Sequence, residues 1–276
     1  MSGKLYICAT PIGNLSDITI RTLDVLNEVD IIAAEDTRRT MKLLNAYEIK
    51  KPVTSYYEHN KAFKSDKLIS LLEEGKNLAL VSDAGTPLIS DPGDMLVSKC
   101  IERGIEVESL PGPCAAICAM TLSGLDSRRF YFYGFLPAAK NEKRKELEKL
   151  SAFTDTIIFY EAPHKLKATL SAMLDTMGNR RITIHRELTK KFEENIRVTL
   201  EEANAIYEEN EPRGEYVLIL EGADEELSKT SYDDIPIEEH VLSLIEEGFD
   251  KKQAIKKCAE LRNIPKREVY NIINRE

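Results

Sequence analysis

Short apolar runs recur along the first 124 positions, and each is followed by a stretch with helical periodicity. LYICAT, DIIAAED, VTSYY, NLALVSD and IEVESL read as strands. ITIRTLDVLNEV, TRRTMKLLNAY, KAFKSDKLISLLEEG, DPGDMLVSKCIERG and PGPCAAICAMTLSG read as helices between and after them. Asn60 stands where a cap for the third helix is expected, and Gly75, Gly104 and Gly124 stand where helices stop. Strands alternating with helices predict βαβ units and a mostly parallel sheet.

The pattern changes after that. FYFYGFL, TDTIIFYEA, RRITIHREL, NIRVTL and GEYVLILEG are strand-like, and only EKRKELEKLSAF, HKLKATLSAMLDTM and LEEANAIYEEN intervene as helices. Fewer helices per strand predict a mixed sheet with hairpin connections. The division expected is an N-terminal α/β domain over 1–116, a second α/β domain over 117–223, and a linker with a small helical tail over 224–276. From 224 the chain reads DEELSKTSYDDIP, polar and acidic like a linker. PIEEHVLSLIEEGF, DKKQAIKKCAELRN and IPKREVYNIINRE then predict three short amphipathic helices, the last two joined by a turn at Asn263–Pro265 in helix-turn-helix outline.

Composition narrows the function classes. The chain has 276 residues, 31% charged and 42% hydrophobic, the balance of a globular protein. No apolar run approaches the ~18–20 residues that span a bilayer, and the N-terminus is a strand-like run with no signal-peptide pattern. The expectation is a cytoplasmic protein with no membrane partner. Five scattered cysteines, Cys8, Cys100, Cys114, Cys118 and Cys258, and four scattered histidines form no metal-ligand spacing, so neither a disulfide framework nor a metal is expected. Net charge is −9, which by itself argues against a nucleic-acid partner. The distribution alters that picture. Residues 251–276 hold eight Lys/Arg against three Glu, and residues 140–149 hold five against three. A local basic stripe on an acidic body can still meet phosphate.

There is no P-loop, no G-x-G-x-x-G after a strand and no G-x-S-x-G elbow. Kinase chemistry, nicotinamide chemistry and serine hydrolysis lose their usual signatures. Three loops just past strand ends are unusual instead: Pro11-Ile12-Gly13-Asn14, Asp83-Ala84-Gly85-Thr86-Pro87 and Pro111-Gly112-Pro113. Ligands of parallel α/β sheets sit beyond the carboxyl ends of the strands. Glycine and small residues there let backbone approach a ligand closely. Asp83 suits a ligand that carries positive charge.

ATPIGNLSDIT, AAEDTRRT, SYYEHN, LVSDAGTPLISDPG, LPGPCAA, FYGFLP, IIFYEAPHK, RELTKKFEE and GEYVLIL follow one another through residues 4–222. In this ordered series the chain resembles the bacterial small-subunit rRNA (cytidine-2′-O)-methyltransferases of the tetrapyrrole-methylase superfamily. The DAGTP loop stands where porphyrin and corrin methylases carry a G-D-P-type loop, and no Gly precedes Asp83.

The resemblance implies a two-domain α/β fold with S-adenosylmethionine in a cleft between the domains. It also implies a homodimer, and small-subunit rRNA or the assembled small ribosomal subunit as partner. On the matching positions it implies cofactor contacts at Pro11, Asp83, Gly85, Thr86, Pro87, Cys114, Ala115, Tyr160, Glu161, Glu187 and Glu215. Arg38, His59, Asn60, His164, Lys190 and Lys191 are expected on the substrate side. Methyl transfer to a ribose hydroxyl needs a proton acceptor and help for the developing oxyanion. Glu35, Asp36, Glu161 and Glu187 are candidates for the first, Lys190 and Lys191 for the second, and Glu187 with Lys190 is the preferred pair. The alternatives are a methyltransferase acting on a small tetrapyrrole and a non-catalytic nucleic-acid-binding protein using the tail.

Overall fold

Runs that are apolar at every position belong inside a sheet covered on both faces. The computed structural model, which describes residues 2–224, 235–246, 248–262 and 264–274, places LYIC, IIAA and LALV at the centre of the first sheet that way, with the more polar VTS and VESL at its edges. Strands β1 (Leu5–Cys8), β2 (Ile31–Ala34), β3 (Val53–Ser55), β4 (Leu78–Val81) and β5 (Val107–Leu110) form a sheet in the order β3-β2-β4-β1-β5. Every pairing in it is parallel. Successive side chains alternate between two cores. Leu5, Ile7, Leu78 and Leu80 pack with Leu68, Leu72 and Leu96. Cys8, Ala79 and Val81 pack with Val25, Leu26 and Leu44 on the opposite face.

The covering helices are α1 (Ile20–Glu28), α2 (Thr37–Ala46), α3 (Lys61–Glu73) and α4 (Asp94–Glu102). Asp36 caps α2, its carboxylate accepting from the Arg38 N–H at 2.8 Å. Asn60 occupies the cap position of α3 but makes no capping bond. Its side-chain oxygen instead accepts from the Tyr57 N–H at 2.8 Å, so the preceding turn takes the group that the helix would have used.

The second sheet joins β6 (Phe130–Phe135), β7 (Thr156–Glu161), β8 (Arg181–Arg186), β9 (Glu194–Thr199) and β10 (Tyr216–Leu220) in the order β6-β7-β10-β8-β9. Only the β6–β7 pairing is parallel, as expected for a mixed sheet. Central strand β10 again alternates: Tyr216, Leu218 and Leu220 face a core closed by α6 (Lys140–Leu150), α7 (Pro163–Met177) and α8 (Leu200–Glu209). Val217 and Ile219 face Ala116, Ala119 and Met120 of α5 (Ala115–Ser123). The 116/117 boundary expected from sequence thus falls inside a helix that packs on the second sheet. Residues 1–151 and 155–222, with both sheets, form one compact unit.

Residues 152–154 and 223–276 form another unit. Its described part consists mainly of α9 (Ile237–Glu246), α10 (Lys251–Leu261) and α11 (Lys266–Ile273). They close on Val241, Leu244, Ile255, Cys258 and Val269. Most of the expected acidic linker, and Asn263 of the expected turn, lie outside the described residues. No helix among the described residues is long and apolar enough to cross a membrane. No group of three or more His, Cys, Asp or Glu there is arranged to hold a metal ion.

Candidate active site

The loops that leave the first sheet at the carboxyl ends of its strands are fastened to one another. Thr10 and Gly85 exchange backbone hydrogen bonds of 2.9 and 3.0 Å, joining the segments after β1 and β4. The Thr86 hydroxyl donates to the Pro113 carbonyl at 2.9 Å, joining the segments after β4 and β5. The Asp36 N–H donates to an Asp83 carboxylate oxygen at 2.9 Å, bringing in the segment after β2. Arg39, one residue beyond the Arg38 preferred from sequence, stands 3.5 Å from the other Asp83 oxygen. Arg38 is turned onto Asp36 at 2.8 Å.

The segment after β4 carries unusual backbone. Gly85 has φ +81° and Gly93 +151°, and between them the non-glycine residues Leu88 and Ser90 have φ +72° and +68°. A Cβ on Gly85 would come 3.2 Å from the Ile12 side chain. Positive φ away from glycine costs about 1–3 kcal/mol per residue and persists only where the surroundings impose it.

The second sheet sends its own strained segment toward the same place. Glu187 and Thr189, just after β8, have φ +53° and +63°. The Lys190 ammonium donates to Glu187 at 2.9 Å and to Glu215 at 2.8 Å, and the Glu215 N–H donates to Glu187 at 2.9 Å. Burial pushes the Glu187 carboxyl up, but the Lys190 ammonium and the Glu215 N–H outweigh it and hold Glu187 below its ordinary value. Gly214 has φ +85° and lies under this carboxylate; a Cβ there would fall 2.5 Å from a Glu187 oxygen. Tyr160, at the end of β7, accepts at its hydroxyl from the Ala116 N–H at 3.1 Å, tying the second sheet to the start of α5.

These segments enclose a cavity of about 380 Å³. Of the positions expected at the cofactor, Asp83, Gly85, Thr86, Cys114, Ala115, Tyr160, Glu161 and Glu215 line it, and so does Lys190. Glu187 adjoins it through Lys190 and Glu215. Pro11 lines a neighbouring cavity instead, and Pro87 lines neither. Arg38, His59, Asn60, His164 and Lys191 line neither as well. Lys191 stands 5.6 Å from the centre of the Phe192 ring.

Among the candidate proton acceptors, Asp36 is held well below the carboxylate range by the Arg38 guanidinium. Glu161 is buried and accepts from the Ala162 N–H at 2.9 Å and the Thr169 hydroxyl at 2.5 Å, with the Lys143 ammonium donating to that hydroxyl at 2.7 Å. Glu35 does not line the cavity. Sequence reasoning missed Arg39, Ser90, Asp91 and Leu188, all of which line it. Burial, and then the neighbouring charge of Glu35, push the Asp91 carboxyl up to about 6. Only the SDPG turn, an acid between serine and proline, hinted at its place.

The family described as Tetrapyrrole (Corrin/Porphyrin) Methylases matches residues 4–204. The "Ribosomal RNA small subunit methyltransferase I" of Bacillus subtilis strain 168 is 51% identical over 272 residues, covering 98% of this chain and 93% of that protein. The chain belongs to the tetrapyrrole methylase family, in its ribosomal RNA small subunit methyltransferase I branch. The protein of the same name from Halalkalibacterium halodurans is 48% identical over 276 residues, covering 99% and 96%. Among solved structures, the uroporphyrin-III C-methyltransferase of Thermus thermophilus, complexed with S-adenyl homocysteine, superposes with a TM-score of 0.57 at 16% identity. It covers 79% of this chain and 97% of that one, a likeness of fold. The fold, enzyme class and methyl donor expected from sequence hold for this tetrapyrrole methylase.

The cavity fits that donor. Its volume lies in the range of about 300–1,000 Å³ usual for such ligands. Ile12, Phe135, Tyr160, Leu188 and Val217 supply apolar wall for an adenine ring, and the Asp83 and Asp91 carboxylates suit the ammonium and sulfonium charges. Gly85 leaves open the space that a side chain would fill.

Proposed function

We propose that this protein methylates the ribose 2′-oxygen of a cytidine in small-subunit ribosomal RNA, using S-adenosylmethionine. The observation that carries the reading is a cavity lined from both sheets, with carboxylates and the Lys190 ion pairs in its walls. Near-full-length similarity to proteins named for rRNA methylation supports the acceptor. Bound in the cavity, S-adenosylmethionine supplies an electrophilic methyl carbon. The protein's task is to hold the acceptor oxygen in line at roughly 3–3.5 Å. Glu187, kept ionised by Lys190, accepts the hydroxyl proton, and Lys190 stabilises the negative charge that develops on oxygen. Mass spectrometry of rRNA from cells lacking the protein tests the assignment. Loss of one 2′-O-methylcytidine from small-subunit rRNA is expected; an unchanged modification map refutes it.

The working division remains 1–116, 117–223 and 224–276, and the protein acts in the cytoplasm as a homodimer on rRNA or the assembled small subunit. Exposed Phe130 and Tyr131 on β6, an edge strand, support self-association. Sedimentation at micromolar concentration tests this, and a strict monomer contradicts it.

The tail supplies phosphate contacts. On α11, Lys266, Arg267, Tyr270 and Asn271 are exposed while Val269 is buried. Arg262 serves the tail itself, donating to His240 at 3.0 Å and to the Ile235 carbonyl at 2.6 Å. Replacing Lys266 and Arg267 with alanine is expected to weaken RNA binding and to make its salt dependence shallower by about one per lost phosphate contact. An unchanged slope removes the tail from the interface.

A further inference from the structure

A second cavity, of about 270 Å³, opens beside the first between the segment after β1, helix α2 and the segment after β4. Arg39 and Asp83 line both cavities. A second wall is shared less directly. Gly13 lines the second cavity and lies against Lys190, which lines the first. A Cβ on Gly13 would fall 2.4 Å from Lys190 Cγ and 2.9 Å from the Leu188 carbonyl. The two cavities therefore meet at Asp83 and Arg39 on one side and at Gly13 and Lys190 on the other.

The charges of the second cavity differ from those of the first. Lys42 lies three residues beyond Arg39, so both project from one side of α2. Lys42 is exposed and has no hydrogen bond or ion pair among the described residues. The Arg39 side chain is 62% exposed, an Asp83 oxygen stands 3.5 Å from it, and its charge also acts on the Glu35 carboxyl. Two adjacent cations, beside a cavity otherwise lined by Pro11, Leu15, Leu43, small and hydroxyl residues and the Asp83 carboxylate that faces Arg39, suit an anion with an uncharged body. A nucleotide within an RNA strand has that form. Charged donors take its phosphates and the apolar pocket takes its sugar and base.

We infer that this second cavity seats the acceptor nucleotide, with Arg39 and Lys42 holding the phosphates that flank its ribose. The inference rests on the rRNA-methylation reading above. It explains why the donor and acceptor cavities must touch: the oxygen and the methyl carbon have to come within about 3–3.5 Å. It also separates two kinds of residue. Arg39 and Lys42 are positioning residues for RNA, and Gly85 to Asp91 of the loop after β4 serve the cofactor.

The test uses the full chain with Arg39→Ala, Arg39→Lys, Lys42→Ala and Leu43→Trp, the last to fill the second cavity. The substrate is small-subunit rRNA from cells lacking this protein, offered naked and as assembled subunits. S-adenosylmethionine affinity is measured separately by calorimetry, and thermal unfolding checks the fold. Lys42→Ala and Leu43→Trp are expected to raise the KM for RNA about tenfold while S-adenosylmethionine affinity stays within twofold. Arg39→Ala is expected to raise it at least tenfold, with a shallower salt dependence, and Arg39→Lys to recover part of the loss. An unchanged KM for RNA in Lys42→Ala and Leu43→Trp overturns the proposal. So does a parallel loss of cofactor affinity in all four variants. Failure of the unaltered protein to label either RNA form is a different result and defeats the rRNA reading itself.

Discussion

The two sheets reach the same cavity by different means. The first delivers the segment from Gly85 to Gly93, shaped by four positive-φ positions and fastened by the Thr10–Gly85 and Thr86–Pro113 hydrogen bonds. The second delivers Glu187 to Lys190, with two positive-φ positions and neither of them glycine. There the fastening is a side-chain cluster, Glu187 and Glu215 on Lys190. The contrast teaches that one wall is written in backbone freedom and the other in charge. The first wall should fail when a Cβ is added and tolerate salt. The second should fail when a charge is removed.

The strongest blow falls where the walls touch. Gly13→Val drives the segment after β1 against the Leu188 carbonyl, a backbone group with no rotamer to yield. Calorimetry should show S-adenosylmethionine affinity down a hundredfold or more, about 2.7 kcal/mol. Retention of affinity would mean that the two walls are not in register at this point.

Gly85→Val strikes the first wall alone. It forces a β-branched residue to φ +81° and toward Ile12. A loss of at least tenfold in cofactor affinity, about 1.4 kcal/mol, is expected. A variant that melts normally and binds as before would remove this loop from the cofactor site.

The second wall is tested by Lys190→Met and Glu187→Gln. Because these pairs are partly exposed, each change should cost stability no more than about 1 kcal/mol. Turnover should nevertheless fall about tenfold, with the KM for RNA less affected, because the groups act on charge that appears during transfer. A fall in KM-dependent rate alone would make the cluster a binding feature.

The gentlest prediction concerns pH. The Asp91 carboxyl is raised from its ordinary 3.8 to about 6. Between those values the folded protein holds more protons than the unfolded chain, so this group's contribution to stability declines as pH rises through that window and is level above it. A bound cation favours the ionised form. S-adenosylmethionine affinity should therefore rise from pH 5 to pH 7 and flatten beyond. Calorimetry on Asp91→Asn should find that rise lost; an identical pH profile would place Asp91 away from the positive charge.

Legibility follows the same division. Gly85, Thr86, Cys114 and Ala115 were legible because three Gly/Pro loops stand at strand ends of one predicted sheet and the resemblance places these residues at the cofactor. Leu188 was not, because nothing in its neighbours announces a cavity, and for Asp91 only the SDPG turn gave a hint. The choice between Arg38 and Arg39 was equally hidden. Both are exposed arginines at the start of α2, and only the capping carboxylate of Asp36, which catches Arg38, leaves Arg39 toward the cavity.

Local pattern was enough to determine the order of strands and helices, the parallel first sheet and the mixed second sheet. Each depends on periodicity and turn chemistry within a few residues, and these are properties of the chain itself. The tertiary structure decided which loops meet. The left-handed backbone at Glu187 is held by Lys190 and Glu215, the latter 28 residues away from Glu187, and by Gly214, which leaves room for the carboxylate. The raised Asp91 carboxyl likewise depends on burial and on Glu35, contributed by the segment after β2. Such effects come from groups far apart in sequence, and they exist only once the sheets have brought those groups together.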